Sequence, residues 1–173
     1  MLDLTQIPTL DTPRLRLRRP AEADADGLAE LYADPRYMRF FGDGRTADRT
    51  AAWGAIAGSL GHWALRGFGF FAVEEKATGR FIGWSGLLSP KDWPGVEIAW
   101  GIAPRAWGRG FATEAAKAVR DDAFTRLRLT RLVSIIHPEN TASIRVAIKL
   151  GERFDRPIEL HGRTMHLYAI TAP

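Results

Sequence analysis

Val96-Glu-Ile-Ala-Trp-Gly-Ile-Ala-Pro-Arg-Ala-Trp-Gly-Arg-Gly-Phe-Ala-Thr-Glu-Ala115 is the stretch on which the fold turns. Val96 to Ala103 reads as a strand, and Pro104 to Arg109 as a loop. Phe111 to Arg126 reads as a helix, because Ala112, Ala115, Ala116, Val119, Ala123 and Phe124 recur at helical spacing and give one apolar face. Between strand and helix sits Arg105-x-x-Gly108-x-Gly110. Two glycines let the backbone turn tightly and point its N–H groups at one spot. Those groups stand at a helix N-terminus, where unpaired donors and the dipole already favour an anion. The pattern suits a phosphate or pyrophosphate. It is not a P-loop, since no Gly-Lys-Ser/Thr follows, nor a dinucleotide fingerprint, since Thr113 stands where a third glycine belongs.

Upstream, Leu15 and Leu17 alternate with Arg14, Arg16 and Arg18 as in a strand, and Pro20 ends it. Ala21 to Tyr32 reads as a helix stopped by Asp34-Pro35, and Thr46 to Trp63 as a second helix. Phe70 to Glu75 and Arg80 to Leu88 read as strands joined by a turn with Thr78-Gly79. Downstream, Leu132 to Ile136 reads as an apolar strand buried on both faces. Thr141 to Leu150 is a helix closed by Gly151. A hairpin follows, Arg153 to Leu160 and Thr164 to Ile170, turning at His161-Gly162. This order predicts an α/β fold, a mixed sheet with helices on both faces.

A chain of 173 residues, 46% hydrophobic and 25% charged, fits one globular domain over residues 1–173. It has no cysteine, which excludes disulfides, Cys-based zinc sites and a cysteine acyl-enzyme. Asp3 and Asp11 mixed with Arg14, Arg16, Arg18 and Arg19 leave no apolar leader core, and no stretch is apolar enough to span a bilayer. The expected location is the cytoplasm, with no membrane partner. The net charge of +4 is spread along the chain, with one cluster at Arg126, Arg128 and Arg131, so no nucleic-acid partner is expected. His62, His137, His161 and His166 are scattered without a ligand spacing, and no metal is expected.

The glycine loop, followed by His137-Pro-Glu-Asn140-x-x-Ser143 and Lys149-Leu-Gly151, resembles the GNAT superfamily of N-acetyltransferases. Thr12-Pro-Arg-Leu-Arg-Leu-Arg18, Arg80-Phe-Ile-Gly-Trp84 and Leu167-Tyr-Ala169 are similar to its RimJ/RimL-like branch, related to ribosomal-protein N-terminal acetyltransferases. The resemblance covers almost the whole chain. It implies a GNAT fold, a mixed, mostly antiparallel sheet of about seven strands. It also implies an enzyme that moves acetyl from acetyl-CoA to a primary amine, by direct attack in a ternary complex. The amine would belong to a protein N-terminus or a small molecule, and the protein would be a monomer or homodimer.

The resemblance further implies where the cosubstrate lies. Acetyl-CoA would occupy a gap where the 96–103 and 132–136 strands splay. The backbone of Trp100, Gly101 and Ile102 would bond the pantetheine arm as an added strand would. The backbone of Trp107, Gly108, Arg109, Gly110, Phe111, Ala112 and Thr113 would hold the pyrophosphate, and Asn140 would bond the pantetheine. A bulge in the 96–103 strand would aim an N–H at the thioester carbonyl.

Aminolysis needs a neutral amine, so a proton must be taken up, and Glu97 is the candidate base, with Asp92 in reserve. A surface strand carboxylate would look the same in sequence. The leaving thiolate needs a proton. The family often places a tyrosine seven residues after the asparagine, but Ala147 stands there, so Ser143 or water is expected to serve. Hydrogen bonding at the helix N-terminus would equally account for Ser143. Phe40, Phe41, Trp53 and Trp63 line either the acceptor side or the core. Two alternatives remain: a non-catalytic acetyl-CoA-binding regulatory module, which would not need Glu97, and a basic RNA-associated protein.

Overall fold

The computed structural model describes residues 6–173; residues 1–5 of the expected 1–173 domain, Asp3 among them, lie outside the described residues. The strands are β1 (Leu10–Asp11), β2 (Leu15–Arg18), β3 (Phe70–Glu75), β4 (Arg80–Leu88), β5 (Glu97–Ile102), β6 (Arg131–Ile136), β7 (Arg153–Leu160) and β8 (Arg163–Thr171). They form one sheet in the order β1-β2-β3-β4-β5-β6-β8-β7. Every neighbouring pair is antiparallel except β5 and β6. Among the described residues the sheet has eight strands where about seven were expected. The addition is β1, a two-residue strand paired Leu10↔Leu17, too short to show an alternation of its own.

The helices are α1 (Ala25–Ala33), α2 (Pro35–Met38), α3 (Arg49–Arg66), α4 (Phe111–Thr125) and α5 (Thr141–Leu150). Asp34-Pro35 ends α1 as expected but also opens α2, with the Asp34 carboxylate accepting from Arg36 N–H. Helix α3 starts later than Thr46 because Asp48 caps it, accepting from Ala51 N–H at 3.0 Å. It runs past Trp63 to the left-handed Gly67.

One face of the sheet carries α4. Its Ala115, Ala116, Val119 and Ala123 close onto Leu15, Leu17, Val73, Ile98, Ile102 and Leu132. The small alanines let helix and sheet approach closely. The other face carries α1 and α3, with Leu28, Leu31, Tyr32, Ala52 and Ile56 against Trp84 and Ala103. A bulge in β4 serves both cores. Val73 pairs with Gly83 but Glu74 with Phe81, so Ile82 is the extra residue. Phe81 and Trp84 thereby face α1 and α3, while Ile82 and Leu87 face α4.

Candidate active site

Strands β5 and β6 pair at a single position, Glu97↔Val133, and then part. Before the parting, Val133 N–H donates to the Val96 carbonyl at 3.0 Å. The next rung would be Ile135 N–H to Ile98. Instead Ile98 C=O accepts from Ser134 Oγ at 2.8 Å, and Ile135 N–H turns to Glu97 Oε1 at 3.4 Å. Side chains of both strands therefore replace the ladder at the crotch of a fork.

The alternation of a strand settles which β5 groups face that fork. Val96 and Ile98 turn their carbonyls to β6, whereas Ala99 turns its carbonyl to β4, where Ser85 Oγ donates to it. Trp100 thus presents its N–H and C=O to a side that β6 has left. Ile102 shares that side, but its carbonyl accepts from Trp107 Nε1. Gly101 faces β4 and so does not contribute backbone groups to the fork. A glycine is needed there for another reason: a Cβ would lie 2.2 Å from the Tyr37 hydroxyl and 2.8 Å from the Trp84 ring. The bulge expected in this strand is absent, since β4 and β5 stay in register from Leu88↔Glu97 to Gly83↔Ile102. The departure of β6, not a bulge, frees the donor of Trp100.

Glu97 lies at the crotch, 8% exposed. Trp93 Nε1 donates to its Oε2 at 2.7 Å, from the loop before β5. Burial pushes its carboxyl up to about 7, against the opposing donations of Trp93 and Ile135. A carboxyl titrating there can hold or release a proton near neutral pH. Asp92, the reserve candidate, is exposed on left-handed backbone with φ 65°.

Four loops, β4–β5, β7–β8, α2–α3 and β6–α5, converge near the fork. Trp93 stacks loosely toward His161 of the β7–β8 turn, Arg163 donates to Gly42 C=O, and Phe40 lies against His137. Phe41 packs on Trp84 and Tyr32. Of the other aromatics singled out, Trp63 is core against Phe71, and Trp53 is half-exposed with its indole N–H on Glu22.

The glycine loop joins β5 to α4. Gly108 (φ 75°) and Gly110 (φ 81°) adopt left-handed backbone, which other residues take only with strain. The first backbone bond into α4 is Glu114 N–H to Gly110 C=O, and none of the N–H groups from Gly108 to Thr113 has a backbone acceptor among the described residues. They form a row of backbone donors at a helix N-terminus. The loop is braced from outside. Arg14 donates to Arg109 C=O and pairs with Glu114 at 2.6 Å, while Thr12 donates to the same carboxylate. Arg109 pairs with Glu75, and the Arg14 and Arg109 guanidiniums both lie against the Phe111 ring. Trp107, half-exposed, ties the loop back to β5. Ala112 is partly buried against the α4-side core. Arg105 reaches away, donating to Phe81 C=O and Glu30.

Asn140 caps α5, its Oδ1 accepting from Ser143 N–H at 3.2 Å. Its amide NH2 is left to donate elsewhere. Ser143 is partly buried in the first turn. Ala147 is fully buried with Ile136 and Tyr168, beside Trp100. Sequence reasoning passed over three residues here: Tyr168 of β8, Ser134 at the crotch, and Glu152 just after α5. Glu152 is buried and bonds Ser134. Two open hollows, one lined by Gly151, Arg153, Ala169, Ile170 and Thr171 and the other by Ala33, Thr46, Ala47, Asp48 and Ala51, include neither Glu97, Trp100 nor the glycine loop.

Comparison with known proteins places this geometry in a family. Residues 14–153 match the acetyltransferase (GNAT) domain, and the chain belongs to that family of acetyltransferases. It is 32% identical to an uncharacterised N-acetyltransferase, p20 of Bacillus licheniformis, over 83% of this chain and 81% of that one. An acetyltransferase of Agrobacterium tumefaciens superposes with a TM-score of 0.86 at 34% identity, covering 96% of both chains. RimL, a ribosomal L7/L12 α-N-protein acetyltransferase in complex with coenzyme A, superposes with a TM-score of 0.79 over 95% of this chain and 98% of that one. At 15% identity that last likeness concerns the fold alone. No helix among the described residues is long and apolar enough to cross a membrane.

Proposed function

We propose that this protein transfers an acetyl group from acetyl-CoA to a primary amine, of a peptide N-terminus or a small molecule, by direct attack in a ternary complex. The observation that carries this reading is continuity. The free donors of Gly108 to Thr113 lead to the unpaired β5 edge at Trp100, and that edge leads to the Glu97 carboxylate. The loop suits the pyrophosphate, the edge suits the amides of the pantetheine arm, and Asn140 retains an amide donor beside them.

In this reading Glu97, directly or through one water, takes a proton from the ammonium form of the acceptor. The neutral amine attacks the thioester carbonyl, forming the C–N bond. Trp100 N–H is the backbone donor available for the oxyanion that develops. The C–S bond then breaks and the thiolate takes a proton from Ser143 or water, while the amide nitrogen loses its second proton to solvent. Holding both reactants in one gap supplies much of the rate. No acetyl-enzyme is needed, because the chain has no cysteine and Ser143 has no histidine–acid relay. The chain works as a single domain, in the cytoplasm.

The test is release of CoA thiol from acetyl-CoA across peptide N-termini, polyamines, amino acids and antibiotic amines. We expect turnover with at least one acceptor, and initial-rate lines that intersect when both substrates are varied. Acetyl-CoA binding without turnover on any acceptor would favour the regulatory-module reading. Parallel lines with acetyl trapped on Ser143 would overturn direct attack.

A further inference from the structure

Glu152 follows the glycine that closes α5 and is 3% exposed, yet no step above uses it. Its Oε1 lies 3.0 Å from Ser134 Oγ, and that hydroxyl lies 2.8 Å from the Ile98 carbonyl. Its Oε2 has no hydrogen-bond partner among the described residues. A hydroxyl owns one proton, and a carbonyl oxygen owns none. With Glu152 ionised, Ser134 could satisfy either the carboxylate or Ile98, and the other contact would set lone pair against lone pair. With Glu152 protonated the chain closes: Glu152 donates to Ser134 Oγ, and Ser134 donates to Ile98 C=O. Burial alone makes an ionised, half-unpartnered carboxylate costly.

The surrounding charges agree. Arg120 of α4 is committed to Leu150 C=O and Asp121, Arg131 of β6 is paired with Asp155 of β7, and Lys149 of α5 is exposed. The charge whose field reaches Glu152 is that of Glu97 on β5. Burial first, and then Glu97, push the Glu152 carboxyl up to about 8, against the lowering effect of Ser134.

We propose that Glu152 is a positioning residue of the acyl-transfer site, acting as a neutral acid that commits the Ser134 proton to Ile98 and so fixes where β5 and β6 part. Ile98 C=O is the last group before the free edge at Trp100. When Glu152 loses its proton, Ser134 turns to the carboxylate, Ile98 is released and the edge loses its register. The proposal rests on acetyl-CoA binding along that edge.

The experiment is calorimetric acetyl-CoA affinity from about pH 6.5 to about pH 9.5 for wild type, Glu152→Gln and Glu152→Leu, so that titration of the cosubstrate cancels between variants. Wild type should weaken by about thirtyfold across the window, one factor of ten per unit of pH beyond the Glu152 midpoint. Glu152→Gln, whose amide still donates to Ser134, should match wild type at neutral pH and lose that dependence. Glu152→Leu should bind weakly throughout. A Glu152→Gln variant that keeps the wild-type pH dependence, or a Glu152→Leu variant equal to wild type at neutral pH, overturns the proposal. A carboxyl carbon-13 titration of Glu152 decides the protonation without any ligand. A neutral Glu152 at about pH 6 supports the proposal, and an ionised one sinks it. If wild type binds no acetyl-CoA at any pH, the proposed function falls, while the carbon titration still judges Glu152.

Discussion

The glycine loop and the fork lie at opposite ends of β5 and are built on opposite principles. The loop is a surface structure made of backbone donors, shaped by two left-handed glycines and braced by half-exposed ion pairs such as Arg14–Glu114. The fork is buried and made of side chains: Glu97, Ser134 and Glu152 take over where a backbone ladder stops. In the proposed function the loop receives the negative charge of a ligand, whereas the fork holds protons on its own acids. A single site can thus hold a polyanion at one end and tune a base at the other. The two ends stay apart electrostatically because the arginines at the loop are already paired with Glu114 and Glu75.

This contrast predicts that disturbing the loop strikes binding and disturbing the fork strikes chemistry and pH response. The largest effect should come from Gly108→Val combined with Gly110→Val. The added side chains meet little protein, since a Cβ at Gly108 finds nothing within 4 Å, but they distort the backbone and cover its donors. Losing several charge-assisted bonds should raise the acetyl-CoA Kd by about a thousandfold. Calorimetry on a variant shown by circular dichroism to be folded checks this, and an unchanged Kd would move the anion site elsewhere.

Glu97→Gln should come next, with turnover down about a hundredfold at neutral pH and acetyl-CoA affinity nearly unchanged. The deficit should narrow as pH rises, because free amine then forms without a base. A variant near wild type with chemistry rate-limiting would pass the role to Asp92 or solvent.

The fork also leaves a mark on stability. Glu97 and Glu152 bind their protons more tightly folded than unfolded, their carboxyls being raised to about 7 and about 8 by burial. Their contribution is therefore complete below the ordinary carboxylate range and lost as pH climbs through those raised values. We expect denaturant stability to fall by on the order of 5 kcal/mol between about pH 5 and about pH 9, and Glu152→Gln to flatten a large part of that slope. Equilibrium urea titrations across the range would show it. A stability that rises with pH would contradict protonated acids at the fork.

The smallest effect should come from the brace. Arg14→Ala removes a half-exposed ion pair and a bond to Arg109 C=O, leaving the donors of Gly108 to Thr113 in place. A rise in Kd of about threefold is expected, since such surface pairs contribute little. A loss as large as that of the glycine variant would make Arg14 a direct ligand of the phosphates.

Sequence by itself determined the parts that depend on local chemistry. Gly108 and Gly110 announced left-handed backbone before a helix, the alanines of α4 announced a close-packed face, and Gly151 announced the end of α5. It also singled out Glu97, though as a lone carboxylate that could have lain at the surface. What only tertiary structure decided was everything that depends on strands far apart in sequence. Ser134 lies inside the segment read as an apolar strand, and its role emerges only where β6 stands beside β5. Glu152 drew no sequence reading at all, and the turn at Gly151 carries it inward. The parity of β5, which gives the fork to Trp100 and withholds it from Gly101, follows from its pairing with β4 and from the single rung it shares with β6. Local propensity acts over a few residues, while burial and register are set by which strands meet. The proton inventory of this site belongs to the second kind.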